Sequence, residues 1–258
     1  MVKLSTLGTL ELTLPAGRSA ANLTPKTLAL LVYLMVTGKV HQRDQLATLF
    51  WRESPVEQAR KNLRYLLPDL RHLLSDYLLI TQHSIAFNRQ QAYWLDVEIL
   101  RTALTASEPL HDTPKLQATL DLYHGEFLAG FTVRNAPAFE AWVMHQREEL
   151  HTLVMQGSYR LAEHYWQQGD YQTGLATTRR LLQWELWHEA GHRLQMELLM
   201  ATGQRSAALQ QYALCRQVLA DELDIEPEAA TIALYEQIRR GTYEKVTSDK
   251  VTSTQRRK

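Results

Sequence analysis

Two groups of residues in this 258-residue chain have the types and spacing to do chemistry. The first is Gln58, Arg60, Lys61, Asn62, Arg64 and Tyr65. Arginine and lysine neutralise phosphates, and arginine, asparagine and glutamine can each hold a base edge with two hydrogen bonds. Leu63, Leu67, Leu70 and Leu74 recur at spacings of 4, 3 and 4, the apolar seam of one helix. The polar set falls off that seam, in the helix's N-terminal half, the part that a recognition helix lays into the major groove of DNA. An ordinary solvated helix surface carries the same residue types, so the surrounding elements must decide. Arg71 and His72 follow Pro68, which removes a backbone hydrogen bond and predicts a kink near Arg64. They are assigned to phosphate contact.

The second group is His188-Glu189-Ala190-Gly191-His192, which matches H-E-x-x-H. In zinc peptidases two histidines one turn apart hold the metal and the glutamate acts as general base. Here no third ligand follows in a recognisable pattern: Glu197 and Glu222 are available but sit in no such motif. The expectation is two ordinary polar helix residues, no metal, no cofactor and no enzyme activity. There is no glycine-rich phosphate loop, no G-x-S-x-G and no cysteine pair; the lone Cys215 reads as core.

The elements around the first group suit DNA recognition. Residues 4–14 alternate and contain Gly8, predicting short strands. Thr24 and Pro25 open a helix with an apolar face of Leu28, Leu31, Val32 and Met35, and Gly38 ends it. A second helix runs from about Arg43 to Trp51, and Ser54-Pro55 opens the third, to about Leu74. Leu78–Thr81 and Ile85–Phe87 read as a hairpin around Gln82-His83-Ser84, where a wing belongs. Gln82 and His83 are placed at a flanking minor groove or the backbone. Tyr93–Leu95 returns a strand to the core. The fold class expected for residues 1–97 is a winged helix-turn-helix.

From Asp96 onward helices dominate, apart from a loop-like stretch over 124–137. Gly169 and Gly203 both sit in helix–helix turns, 34 residues apart, the tetratricopeptide period. In the same register Gly174 meets Ala208, Leu175 meets Leu209 and Thr178 meets Tyr212. Residues 98–241 are therefore expected to form an all-α tetratricopeptide-like repeat domain, which buries its faces by stacking. Residues 242–258 are polar and read as a disordered tail. The chain as a whole is mainly α.

Charge follows this division. The chain is neutral overall, but residues 1–97 carry +4, residues 98–241 carry −7 and residues 242–258 carry +3. A basic end on an acidic body meets a polyanion with one end. No apolar run is long enough to span a membrane, no signal peptide is evident and a single cysteine fits a reducing cytoplasm.

Several stretches carry a family resemblance: LGTLEL (7–12), RDQLATLFW (43–51), NLRYLLPDLRHLL (62–74), YHGEFLAGF (123–131), FEAWVMHQREEL (139–150), QGDYQTGLATTRRLL (168–182) and, most specifically, 206–239. The chain resembles regulators that join an OmpR-type winged helix to a bacterial transcriptional activator domain, as in streptomycete antibiotic regulatory proteins. That resemblance implies binding to double-stranded DNA through the third helix and wing, activation by contact with RNA polymerase, and self-association into a homo-oligomer. Two departures stand out: Leu186 occupies the place of a usual proline, and the hairpin ends Ile85-Ala86-Phe87-Asn88 instead of the common Gly-Tyr-Arg. Larger relatives continue into an ATPase module. Two rival readings remain: an interaction scaffold that uses the repeat without binding DNA, and a zinc hydrolase.

Overall fold

The computed structural model describes residues 1–15, 23–105 and 112–243. Apart from Thr242 and Tyr243, the tail expected over 242–258 lies outside the described residues. The described chain is mainly helical and divides into two compact units. One holds the described residues of Met1–Glu108 with Pro114–Val154; the other holds Asp112, Thr113 and those from Met155 onward.

The first unit contains two three-stranded sheets. In one, β1 (Val2–Ser5) pairs antiparallel with β2 (Glu11–Thr13) and parallel with β6 (Tyr93–Leu95). In the other, β5 (Ser84–Phe87) lies antiparallel between β3 (His41–Gln42) and β4 (Leu78–Ile80). Helix α1 (Pro25–Thr37) begins where Thr24 Oγ1 accepts from the Thr27 amide, and it ends at Gly38, whose φ of 61° is left-handed. The face expected for α1 is too narrow: Leu30 and Leu34 are fully buried too, while Leu28 is only half-buried. Helix α2 (Arg43–Trp51) turns Leu46, Ala47 and Phe50 inward. Helix α3 (Val56–Leu74) buries Ala59 and the whole leucine seam. It continues helical through the exposed Pro68 to its last turn.

A polar anchor joins the beginning of this unit to helix α4 (Asp96–Thr105). The buried Asp96 carboxylate accepts from the amides of Thr6, Leu7 and Val97 and from Thr6 Oγ1. A carboxylate fully enclosed in the core is tolerable only with its lone pairs so occupied.

The unit continues past residue 97. Helix α5 (Thr113–Leu120) leads into the stretch before helix α6 (Pro137–Gln168). There the backbone bonds to the loop after β1: Gly8 N to Glu126 O at 3.1 Å, Leu128 N to Thr6 O at 2.8 Å and Ala129 N to Gly8 O at 2.9 Å. The start of α6 adds aromatic area. Phe139 stacks on Phe50 with ring centres 5.2 Å apart, and Trp142 meets Tyr33 edge-on at 4.9 Å. Residues 123–154 thus complete the core of this unit, and no local periodicity announces such long-range packing.

The second unit contains the end of α6, α7 (Tyr171–Trp184), α8 (Glu189–Ala201), α9 (Arg205–Leu223) and α10 (Ala229–Arg240). Its core gathers Ala162, Leu175, Leu194, Leu198, Ala208, Leu234 and Ile238. Gly169 and Gly203 both have positive φ in the turns that open α7 and α9. Gly174 allows a close approach: a Cβ there would lie 2.8 Å from Leu198 Cδ2, and that side chain would have to shift. Ala208, its counterpart 34 residues on, is completely buried. Small side chains at these positions let neighbouring helices approach closely. Tyr243 packs on the same core, so the packed chain extends past residue 241.

Candidate nucleic-acid interface

The leucine seam of α3 faces the core and thereby turns the polar set outward. Gln58, Arg60, Lys61, Arg64, Tyr65, Arg71 and His72 are exposed, and Asn62 is half-buried. Tyr65 keeps 66% of its surface accessible, unusual for so large a ring. Lys61 Nζ lies 5.9 Å from the Tyr65 ring centre, and Gln58 Nε2 donates to Asn62 Oδ1 at 2.8 Å, one turn along. These contacts pre-arrange long side chains on one face. Among the described residues, no carboxylate pairs with Lys61, Arg64 or Arg71.

Arg60 differs from its neighbours. Its Nε donates to Asp44 Oδ1 at 2.7 Å, its Nη2 to Asp44 Oδ2 at 2.8 Å and its Nη1 to Glu57 at 3.0 Å. The guanidinium fork is already occupied by a carboxylate of α2. The spacing of α3 alone could not reveal this, because the partner lies on another helix.

The hairpin tip is likewise organised. Thr81 Oγ1 accepts from the amides of His83 and Ser84 at 3.2 and 3.0 Å, shaping the turn. Gln82 and His83 are exposed. The Arg43 amide donates to His83 O at 2.9 Å, and β3, just before Arg43, pairs with β5. The tip is therefore fastened to the first residue of α2.

Sequence reasoning assigned no binding role to Arg43. It is half-buried, and its Nε is enclosed with no acceptor. Burial, and then the positive charges of Arg71 and Arg64, hold its guanidinium below the ordinary arginine value. One signal for it was present in the sequence. A cation at the first position of a helix opposes the helix dipole, which favours anions there.

The H-E-x-x-H stretch serves the packing of the second unit. His188 caps α8, its Nδ1 accepting from the Gly191 amide at 2.9 Å. His192 is completely buried and sits in a relay. Its Nε2 donates to Leu186 O at 2.8 Å, its Nδ1 accepts from Gln211 Nε2 at 2.6 Å, and Gln211 Oε1 accepts from Gln195 Nε2 at 3.2 Å. The carbonyl fixes the tautomer, since Nε2 must carry the proton. Glu189 accepts from the Glu228 amide at 2.7 Å and from Thr231 Oγ1, tying α8 to the start of α10. Gly191 is tightly enclosed: a Cβ would meet Leu181 Cδ2 at 2.8 Å, and that side chain would have to shift. Among the described residues, no three histidine, cysteine, aspartate or glutamate side chains gather as a metal site would require. No described helix is long and apolar enough to cross a membrane.

Comparison with known proteins agrees with this architecture. The regulatory protein AfsR of Streptomyces coelicolor is 26% identical over 231 residues, 86% of this chain. The chain spans only 23% of that relative's length. The solved structure of Mycobacterium tuberculosis EmbR in complex with a low affinity phosphopeptide superposes with a TM-score of 0.69 at 20% identity, over 98% of this chain and 68% of that one. At that identity the likeness is one of fold. Residues 95–239 match the bacterial transcriptional activator domain, and by that match the chain belongs to the bacterial transcriptional activator domain family.

Proposed function

We propose that this transcriptional regulator binds double-stranded DNA in a sequence-specific manner through α3 and the β4–β5 hairpin, as a winged helix-turn-helix. The observation that carries the reading is the outer face of α3. Lys61, Arg64 and Arg71 stand exposed and, among the described residues, without a carboxylate partner, beside the side-chain amides of Gln58 and Asn62 and the open ring of Tyr65. Unpaired cations beside side chains able to read base edges match the division of labour between phosphate and base contacts. In this reading Gln82 and His83 meet the flanking backbone or minor groove. Arg60 braces α3 and makes no base contact, because Asp44 holds its fork. His72 contributes at the edge.

Residues 98–241 are proposed as the activating part, whose helices from residue 155 onward form a tetratricopeptide-like stack, and which contacts RNA polymerase and self-associates in the cytoplasm. Their net charge of −7 suits them to protein contacts and not to a polyanion. The test is selection of duplexes from a random-sequence pool by the full chain, then titration of the enriched duplex at several salt concentrations. A recovered motif whose affinity falls linearly with salt on logarithmic axes is expected. A chain that retains no duplex refutes DNA binding and leaves the interaction scaffold.

A further inference from the structure

Arg43 stands where α2 meets α3 and the hairpin tip, within reach of the charges of Arg64 and Arg71 on α3, and none of the three has a carboxylate partner among the described residues. Arg64 and Arg71 lie seven residues apart on α3, two turns along one face. Arg43 opens α2, and two contacts fix it beside that face. Its neighbour Asp44 grips Arg60, one turn before Arg64, and its own amide is held by His83 O at the hairpin tip. Its Nε is enclosed without an acceptor. The only carboxylate adjoining it in sequence, Asp44, already receives both arms of Arg60.

We infer that Arg43, Arg64 and Arg71 form a clamp for a run of DNA backbone phosphates, separate from the base-reading side chains of α3. This rests on the DNA-binding reading above and refines it. The outer surface of α3 then divides in two: Gln58, Lys61, Asn62 and Tyr65 face the bases, and Arg64 joins Arg43 and Arg71 at the strand. Like charges held together inside a partly buried corner repel one another, and an anion of spread negative charge relieves that repulsion. Burial is the main cause that lowers the affinity of Arg43 for its proton, and the positive charges of Arg71 and Arg64 add to it. A guanidinium suits phosphate because its planar fork can donate two parallel hydrogen bonds. The half-buried Arg43, pinned at its backbone to the hairpin, is placed to orient the duplex and not to follow a base edge into the groove.

The test is fluorescence anisotropy of the full chain with a short labelled mixed-sequence duplex over a salt series. Arg43→Gln and Arg71→Gln are each expected to weaken binding about tenfold and to lower the magnitude of the logarithmic salt slope by about one. The order of preference among duplexes of different sequence is expected to stay the same. Arg71 is exposed, so its variant tests the clamp even if Arg43→Gln fails to fold, which circular dichroism reveals. Arg43→Lys is expected to recover the salt slope but only part of the affinity, since it keeps the charge and loses the fork. Wild-type slopes in both glutamine variants overturn the clamp while leaving DNA binding in place. A wild-type chain that binds no duplex overturns the DNA-binding reading and the clamp with it.

Discussion

Asp44 of α2 receives both arms of the Arg60 guanidinium of α3, with bonds of 2.7 and 2.8 Å. The pair fastens the two helices that flank the proposed interface, and it withdraws one cation from a face otherwise rich in free ones. Hydrogen bonding from Arg60 holds the Asp44 carboxyl below its ordinary value of 3.8. A carboxylate whose value is lowered on folding contributes stability that is full above the unfolded value and is lost as pH falls through the folded one. The brace is therefore intact at neutral pH and fails only below about pH 4.

Removal of the brace makes the first prediction. Asp44→Ala deletes a negative charge next to Arg43 in sequence and releases Arg60. Affinity for a mixed-sequence duplex is expected to rise a few-fold, with a salt slope steeper by about one. Anisotropy titrations measure both. Weaker binding with an unchanged slope would show that Asp44 matters for the placement of α3 and not for its charge.

The second prediction concerns the face of α3. Lys61→Ala with Arg64→Ala is expected to weaken DNA binding by roughly 1–3 kcal/mol for each lost contact. Thermal unfolding should move little, because both side chains are exposed and surface changes usually stay within about 0.5 kcal/mol. Unaltered affinity of the double variant for its selected duplex would remove α3 from the interface.

A third prediction comes from the His192 relay. Burial is the main cause that holds the His192 imidazole below its ordinary value of 6.5. A histidine kept neutral in the fold binds fewer protons there than in the unfolded chain. Its cost is absent above pH 6.5 and grows as pH falls below that value. Denaturant titrations at neutral pH and near pH 5 should therefore show a loss of stability in the wild type that is smaller in His192→Gln. Equal losses would remove the relay from the pH response. His192→Ala leaves Gln211 and Leu186 O short of partners, at a cost of about 1–3 kcal/mol plus a cavity. Purified wild-type chain is expected to carry no stoichiometric zinc by elemental analysis.

The fourth prediction tests how much of the chain the DNA-facing unit needs. Phe139 is fully buried against Phe50, and Phe139→Ala is expected to cost about 3–5 kcal/mol in chemical denaturation. A fragment 1–97 lacks Phe139, Trp142 and the 126–129 backbone that bonds to the loop after β1. It is expected to lose near-ultraviolet circular dichroism and cooperative melting. A fragment as cooperative as the full chain would show that residues 98–154 are not part of its core.

Local order was legible in the sequence. Thr24, Pro25 and Gly38 bound α1, the leucines of 63–74 mark the buried side of α3, and the two apolar runs around Gln82-His83-Ser84 mark the hairpin. Gly169 and Gly203 mark two equivalent turns. These signals are short-range: a cap, a period of 3.6 or 2 and a left-handed turn are each written within a few neighbouring residues. Tertiary structure alone decided the rest. It paired Arg60 with Asp44, set Arg43 beside the hairpin, closed the first core with Phe139 and Trp142, and turned His188 and His192 into a cap and a relay. The reason is the same each time. A side chain's partner is set by which elements pack together, and in a chain where Asp96 bonds to Thr6 across 90 residues, no local window contains that information.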